Sequence, residues 1–248
     1  TDNTIFETAW GIALQSLHYI DDVVFGKVTS GRNVPVKDAQ SIVGMFINTI
    51  PVRVTRTKET TVAQLLQNMQ NQSEETSSYE HCSLAEIQSN SYIKNGLVNT
   101  LFVYENYFVD GERMNVELPF TITTEAAREQ TSYPFNMIAY NTQDGYRIEV
   151  MFDPSVYTDS EADSILVKMH TILEQMAAEP EKKVSDIVTA DKEEIEKVKE
   201  TFNKTSATYE GAENSIGNLL SIRAEKNPEK TALVFGNQKM TYQELKQR

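Results

Sequence analysis

Two segments of β-type composition, Asp22–Ser30 and Phe46–Thr55, bracket a turn-rich stretch, and this arrangement constrains the fold more than any other part of the chain. Valine, isoleucine and phenylalanine dominate both segments, as expected for pleated, half-buried backbone. Each meets its loop with small polar residues: Ser30, Gly31 and Arg32 at the end of the first, Asn48 and Thr49 within the second. A change of this kind describes strands of a core sheet whose ends offer polar groups to a channel.

The sheet needs a helical cover, and the sequence supplies it. Near the N-terminus, Thr4-x-x-Glu7 reads as a capping box, followed at helical spacing by Phe6, Ala9, Trp10, Ala13, Leu14 and Leu17. Val62, Leu65, Leu66 and Met69 form one face of a helix over residues 62–75, and a short helix is expected at 83–88. Thr158-x-x-Glu161 opens a longer one whose stripe runs from Ala162 through Ile165, Met169 and Ile172 to Met176, ending before Pro180. Further strands are expected at 97–104, 120–124, 134–140 and 146–153, the last two joined at Gln143-Asp144-Gly145 as a hairpin. The class is therefore mixed α/β.

Past residue 188 the pattern changes. Residues 190–200 read as a polar Lys/Glu helix and 203–213 as the best linker. Ile216, Leu219, Leu220 and Ala224 then suggest a new amphipathic helix, Ala232–Phe235 a strand, Gly236-Asn237 a turn and Thr241-x-x-Glu244 a further helix start. With only about two turns of chain after Thr241, this helix would be marginal alone, so the sequence is expected to be a piece of a longer polypeptide.

Composition excludes several classes. A formal net charge of −13 argues against phosphate-backbone binding, so no nucleic acid partner is expected. No apolar run reaches the roughly 18 residues of a membrane span, and the first residues lack the basic and apolar blocks of a signal peptide. Cys82 is the single cysteine, which rules out an intrachain disulfide and fits a reducing, cytoplasmic compartment. No metal-ligand spacing is present. His18, His81 and His170 are scattered; His18 suits a helix C-terminus, His170 a surface or boundary position, and His81 beside Cys82 lacks a third group to orient a nucleophile–base pair.

The pattern V-x-F-G-x-x-x-S-G-R followed by V-G-x-F-x-N-T-x-P-x-R resembles the condensation domains of nonribosomal peptide synthetases. Gly26, Gly44, Phe46, Asn48, Thr49, Pro51 and Arg53 stand at that family's spacing, with Ile47 replacing its Val. The tail, with A-L-V-F-G and M-T-Y-Q-E-L, is similar to the opening of an adenylation domain of the same synthetases. Together the resemblances imply residues 1–188 as the C-terminal, chloramphenicol-acetyltransferase-like lobe of a condensation domain, a mixed β-sheet covered by helices. They imply 189–214 as an inter-domain linker and 215–248 as the truncated start of an adenylation domain. The family's H-H-x-x-x-D-G motif, which carries the histidine associated with catalysis, does not occur here. Where its H-Q-D-Y-P-F-E motif would fall, this chain has Glu80-His81-Cys82-Ser83-Leu84-Ala85-Glu86.

The resemblance implies an enzyme that joins two thioesters carried on phosphopantetheine arms, with no tightly bound cofactor and no catalytic residue in this chain. The isolated chain is then expected to be inactive. Ser30, Gly31, Arg32, Asn48 and Thr49 would line the acceptor side of the channel; Gly26, Gly44, Phe46, Pro51 and Arg53 would be architectural. Arg32 would contact a pantetheine phosphate or fix its loop through a carboxylate, and Asn48 would orient substrate or tie two loops together. Implied partners are the N-terminal lobe, the upstream and downstream peptidyl carrier domains and the rest of the adenylation domain, with self-association through the face left by the missing lobe. The alternatives are an epimerising or cyclising relative and a non-catalytic scaffold for carrier docking.

Overall fold

The computed structural model describes residues 1–33, 36–105, 131–190, 192–209 and 215–248, which form two compact units, Thr1–Lys192 and Glu193–Arg248. The expected strand at 120–124 lies outside the described residues. In the first unit the elements are α1 (Asp2–His18), β1 (Asp22–Thr29), β2 (Asn48–Thr55), α2 (Val62–Thr76), α3 (Leu84–Asn90), β3 (Thr100–Glu105), β4 (Phe135–Thr142), β5 (Gly145–Phe152) and α4 (Asp159–Ala178). The strands form one sheet in the order β2-β1-β3-β4-β5. Its three central strands β1, β3 and β4 are parallel; β2 and β5 pair antiparallel at the edges. The mixed α/β architecture read from the sequence is the one found.

Alternation along each strand decides which side chains meet the helices. Val23 and Phe25 of β1, Val52 and Val54 of β2, Phe102 of β3 and Phe135, Met137 and Ala139 of β4 join one buried cluster with α1, α2 and α4. Trp10 of α1 is almost wholly buried and stacks on Phe135, with ring centroids 5.8 Å apart. Burial of each such side chain stabilises the fold by about 1.5–3 kcal/mol. The edge of β2 is closed by a side chain: Gln72 Oε1 accepts from Arg53 N–H at 3.3 Å while Gln72 Nε2 donates to Arg53 carbonyl at 3.0 Å, filling two bonds that another strand would otherwise take. Pro51 lies on this same edge strand, where a missing N–H is tolerated.

The N-terminal capping box is the main correction. The N-cap is Thr1, whose hydroxyl accepts from Thr4 N–H, so Thr4 and Glu7 fall inside α1 and are buried. Glu7 cannot cap because its carboxylate points inward to Lys27 Nζ at 2.6 Å. Phe46 and Ile47 precede β2 rather than open it, and β3 starts at Thr100 because Leu97 N–H closes a tight turn onto Lys94 carbonyl at 3.0 Å. The hairpin β4–β5 and the Thr158/Glu161 capping box form as expected.

From Lys192, the last residue of the first unit, α5 (Lys192–Glu196) runs into the second and continues as a wider π-type helix over Lys197–Phe202. Beyond it lie α6 (Ile216–Lys226), the hairpin β6 (Thr231–Phe235) and β7 (Gln238–Thr241), and α7 (Tyr242–Gln247), the last with the expected capping box. The stripe on α6 is mostly open: Ala224 is buried, whereas Ile216 is 88% exposed. No helix among the described residues is long and apolar enough to cross a membrane.

Candidate functional site

Because β1, β3 and β4 run parallel, their carboxyl ends meet at one edge of the sheet, where α1 also begins. Crevices at such an edge are where open α/β sheets bind ligands. Here the crevice is a cleft of about 850 Å³, lined by Asn3, Lys27, Ser30, Glu80, Tyr104 and Asn141 among others. A second groove of about 570 Å³ is lined by Gly31, Val36, Met45, Phe46, Ile47, Asn48, His81 and Ser83, most of them in or beside the loop that joins β1 to β2. The structure thus divides the residues expected to share one channel: Ser30 faces the first space, Gly31 and Asn48 the second, and Ile47 lines both.

The loop is built around two residues. Gly31 has φ +62°, and a Cβ there would stand 1.8 Å from the Phe46 carbonyl oxygen, so only glycine fits. Arg32 Nη1 donates to the carbonyls of Ala39 at 2.6 Å and Ile42 at 3.0 Å, and Nη2 reaches Gly44 carbonyl at 3.4 Å. Its guanidinium also lies over the Phe46 ring, 4.6 Å from the centroid. Arg32 braces its own loop through carbonyl oxygens, where the sequence offers a pantetheine phosphate or a carboxylate as its partner. Phe46 supplies the ring and Gly44 a carbonyl; a Cβ at Gly44 would meet nothing closer than 4.0 Å.

Asn48 ties two loops. Its Nδ2 donates to the carbonyls of Glu80 and Cys82, both at 2.7 Å, which joins the start of β2 to the turn before α3. Thr49 pairs with Val28, and its methyl group closes over Gly26, where an added Cβ would lie 2.7 Å from Val98 and Leu101 atoms and 2.9 Å from Thr49 Cγ2. Arg53 grips Asp22 with two parallel bonds, Nε to Oδ1 at 2.9 Å and Nη2 to Oδ2 at 2.6 Å. Bonding from Arg53 holds the Asp22 carboxyl below its usual range, but both groups are exposed and the pair contributes little to stability. Ser30 is exposed at the cleft, where its oxygen accepts from Arg32 N–H at 3.4 Å.

Sequence reasoning did not single out the polar groups on the cleft wall. Lys27 and Glu7 form a largely buried ion pair, and Asn3 Nδ2 donates to the same Glu7 Oε1 at 2.8 Å. Tyr104 donates to Asn141 Oδ1 at 3.0 Å; burial, reinforced by Asp2 and Tyr146 nearby, pushes its phenol above the ordinary range and keeps it a donor. The signal that marks these positions is a charge where the period reserves an apolar residue: Lys27 follows Val23 and Phe25 on one strand face, and Glu7 sits between Phe6 and Ala9 on a buried helix.

None of the three histidines lines the large cleft. His18 borders a groove at the opposite end of β1, His170 pairs loosely with Glu174 on the surface, and His81 borders the second groove without an orienting partner among the described residues. No group of three or more His, Cys, Asp or Glu side chains placed to hold a metal occurs among the described residues.

A family model described as Condensation domain matches residues 1–198. Bacitracin synthase 3 of Bacillus licheniformis is 34% identical over 250 residues, and tyrocidine synthase 3 of Brevibacillus parabrevis 34% over 251; each alignment covers 100% of this chain and 4% of the relative. The chain therefore spans about one twenty-fifth of the length of these relatives. A four-domain nonribosomal peptide synthetase, solved bound to AMP and glycine, superposes with a TM-score of 0.69 at 15% identity over 99% of this chain and 20% of that one, a likeness of fold.

Proposed function

The chain belongs to the condensation-domain family of nonribosomal peptide synthetases, and from that premise we propose that residues 1–188 are the C-terminal, chloramphenicol-acetyltransferase-like half of a condensation domain. Residues 189–214 are then the linker and 215–248 the beginning of an adenylation domain. The reaction is attack by the α-amine of an acceptor aminoacyl thioester on the carbonyl of a donor thioester. A C–N bond forms, the C–S bond breaks, and the donor's pantetheine sulfur leaves as the thiol, its proton balancing the one lost from the amine. A thioester is already activated, so alignment of the two tethered reactants supplies much of the rate, with effective molarities that reach about 10⁵–10⁸ M in well-oriented systems.

The observation that carries this reading is the cleft at the carboxyl ends of β1, β3 and β4, beside the S-G-R loop and without an imidazole in its lining. Such a surface can position reactants and contributes no imidazole, which fits one wall of a tunnel whose opposite wall brings the H-H-x-x-x-D-G histidine. Ser30 orients substrate at the cleft. Gly31, Arg32, Asn48 and Thr49 hold the loop that shapes it, with Gly26, Gly44, Phe46, Pro51 and Arg53 as framework. The N-terminal lobe, two carrier domains bearing phosphopantetheine and the remainder of the adenylation domain are the partners, in a cytoplasmic assembly. The exposed Val43, Met45 and Ile47 of the loop support an apolar contact with that lobe or, in its absence, with a second copy.

The test supplies two loaded carrier proteins to the chain, to a separately produced N-terminal lobe and to the mixture. Product is expected only from the mixture. Product from this chain alone would overturn the assignment of the base to the other lobe, and an inactive mixture beside an active fused control would overturn the half-domain reading.

A further inference from the structure

The ion pair Glu7–Lys27 stands where the fold would more cheaply place two apolar side chains. Both residues project into the layer between α1 and β1 that otherwise holds Phe6, Trp10, Val23 and Phe25. Replacing a buried ion pair by well-packed apolar residues is often neutral or stabilising, so stability does not explain the pair. Its location does: the Lys27 side chain, 13% exposed, borders the 850 Å³ cleft, whereas Glu7 is sealed at 1%. Glu7 accounts for one of the three ammonium donors, and the others find no partner among the described residues.

Asn3 completes the arrangement. Its Nδ2 donates to the Glu7 oxygen that Lys27 also contacts, so the two residues are held side by side through one atom. That bond fixes the amide orientation and leaves Asn3 Oδ1, which is buried and has no hydrogen-bond partner among the described residues. A buried unsatisfied acceptor calls for a donor. Lys27 and Asn3 thus both line the cleft and meet at one Glu7 oxygen, with N–H donors of Lys27 and the buried Oδ1 of Asn3 unpartnered among the described residues.

We propose that Lys27 and Asn3 form a substrate-contacting subsite for an aminoacyl thioester, Lys27 donating to its thioester carbonyl and Asn3 Oδ1 accepting from its α-N–H, with Glu7 as the positioning residue that holds both. The inference rests on the condensation reading and deepens it by naming which groups of the tethered substrate this wall grips. An amine that donates one N–H to Asn3 has its remaining substituents and lone pair fixed in direction, which a positioned nucleophile requires.

The experiment uses this chain and alanyl-pantetheine thioester labelled with ¹³C at the thioester carbonyl. Binding is followed by titration, and the carbonyl by its infrared stretch. In the native chain the stretch is expected to fall on binding, as a charge-assisted hydrogen bond polarises the carbonyl. Lys27→Met should weaken binding about 10- to 100-fold, the range for a hydrogen bond to a charged group, and return the stretch to its free value. Lys27→Arg should keep most of the shift. Replacing the probe by propionyl-pantetheine thioester, which has no α-amine, should weaken binding to the native chain and make little difference with Asn3→Ala. The double variant Glu7→Leu/Lys27→Met, if folded as judged by Trp10 emission, should bind no better than Lys27→Met, because it also releases Asn3; recovery of native binding in it would trace the loss in Lys27→Met to the stranded Glu7 carboxylate and overturn the contact. Equal binding and an equal stretch in Lys27→Met would overturn the subsite while leaving the condensation reading to the carrier assay above. Absence of saturable binding to the native chain would likewise overturn the subsite, and product from the two-lobe mixture would show that the failure is confined to it.

Discussion

Asn48 is the motif residue whose role the structure defines most sharply, and its replacement gives a quantitative test. Both acceptors facing its side chain are backbone carbonyls, which only accept, so the NH₂ and not the oxygen must point at Glu80 and Cys82. Asn48→Ala removes two bonds, each contributing about 1 kcal/mol net, and should destabilise the first unit by about 2 kcal/mol. Asn48→Asp is worse despite being nearly isosteric. It places carboxylate oxygens against two carbonyl oxygens and leaves both unsatisfied, for a loss of about 3–4 kcal/mol. For a unit of this size, 1 kcal/mol shifts Tm by about 2–4 °C, so the expected drops are about 4–8 °C and about 6–16 °C. The assay is thermal or urea unfolding followed by Trp10 emission; the chain has a single tryptophan, buried in the first unit, so the second unit does not contribute. If Asp proves as stable as Ala, the amide does not donate to these carbonyls. If Ala leaves stability unchanged, the tie between the loops carries no weight and the side chain serves the groove instead.

Two further predictions use the same reporter. Gly31→Ala combines a left-handed backbone with a clash against the Phe46 carbonyl and should lose roughly 2–5 kcal/mol, whereas Gly44→Ala, with open space around it, should stay within about 0.5 kcal/mol; similar losses at both would refute the distinction. The Glu161 carboxyl is held below its ordinary 4.5 chiefly by Thr158 N–H and then by its hydroxyl, so its contribution is complete above that value and is lost as pH falls through the lowered one. Thr158→Ala should cost about 1 kcal/mol at neutral pH and flatten the acid limb of the stability curve only in part, because the backbone N–H remains, whereas Glu161→Gln should remove this group's share of the limb; an unchanged limb in Glu161→Gln would show that the bonds to Glu161 do not matter.

Much of the architecture was legible because it follows from local rules. Periodicity placed α2 and α4, the Gln143-Asp144-Gly145 turn placed the β4–β5 hairpin, and the Thr158 and Thr241 boxes marked two helix starts. The Thr4-x-x-Glu7 box failed for an instructive reason. The same two residue types satisfy a helix end or a buried partner equally well in sequence, and only the approach of Lys27 from β1 decides between them. The motif run was equally informative about family and silent about roles: nothing in the letters S-G-R says that the arginine spends its donors on carbonyls of its own loop.

By itself, then, the chain's order of residues determined the α/β class, the alternation that aims Val23, Phe25, Val52 and Val54 at one helical layer, and the family. Those depend on short-range periods and on spacing along the backbone. Tertiary structure alone decided that three strands run parallel, so that their carboxyl ends open a cleft. It also set Ser30 and Asn48 in the linings of two different spaces, and it brought Lys27 of β1 to the Glu7 oxygen that Asn3 bonds one helical turn away. The Glu7–Lys27 contact joins residues 20 positions apart on different elements, and such geometry exists only once strand order and helix packing are fixed.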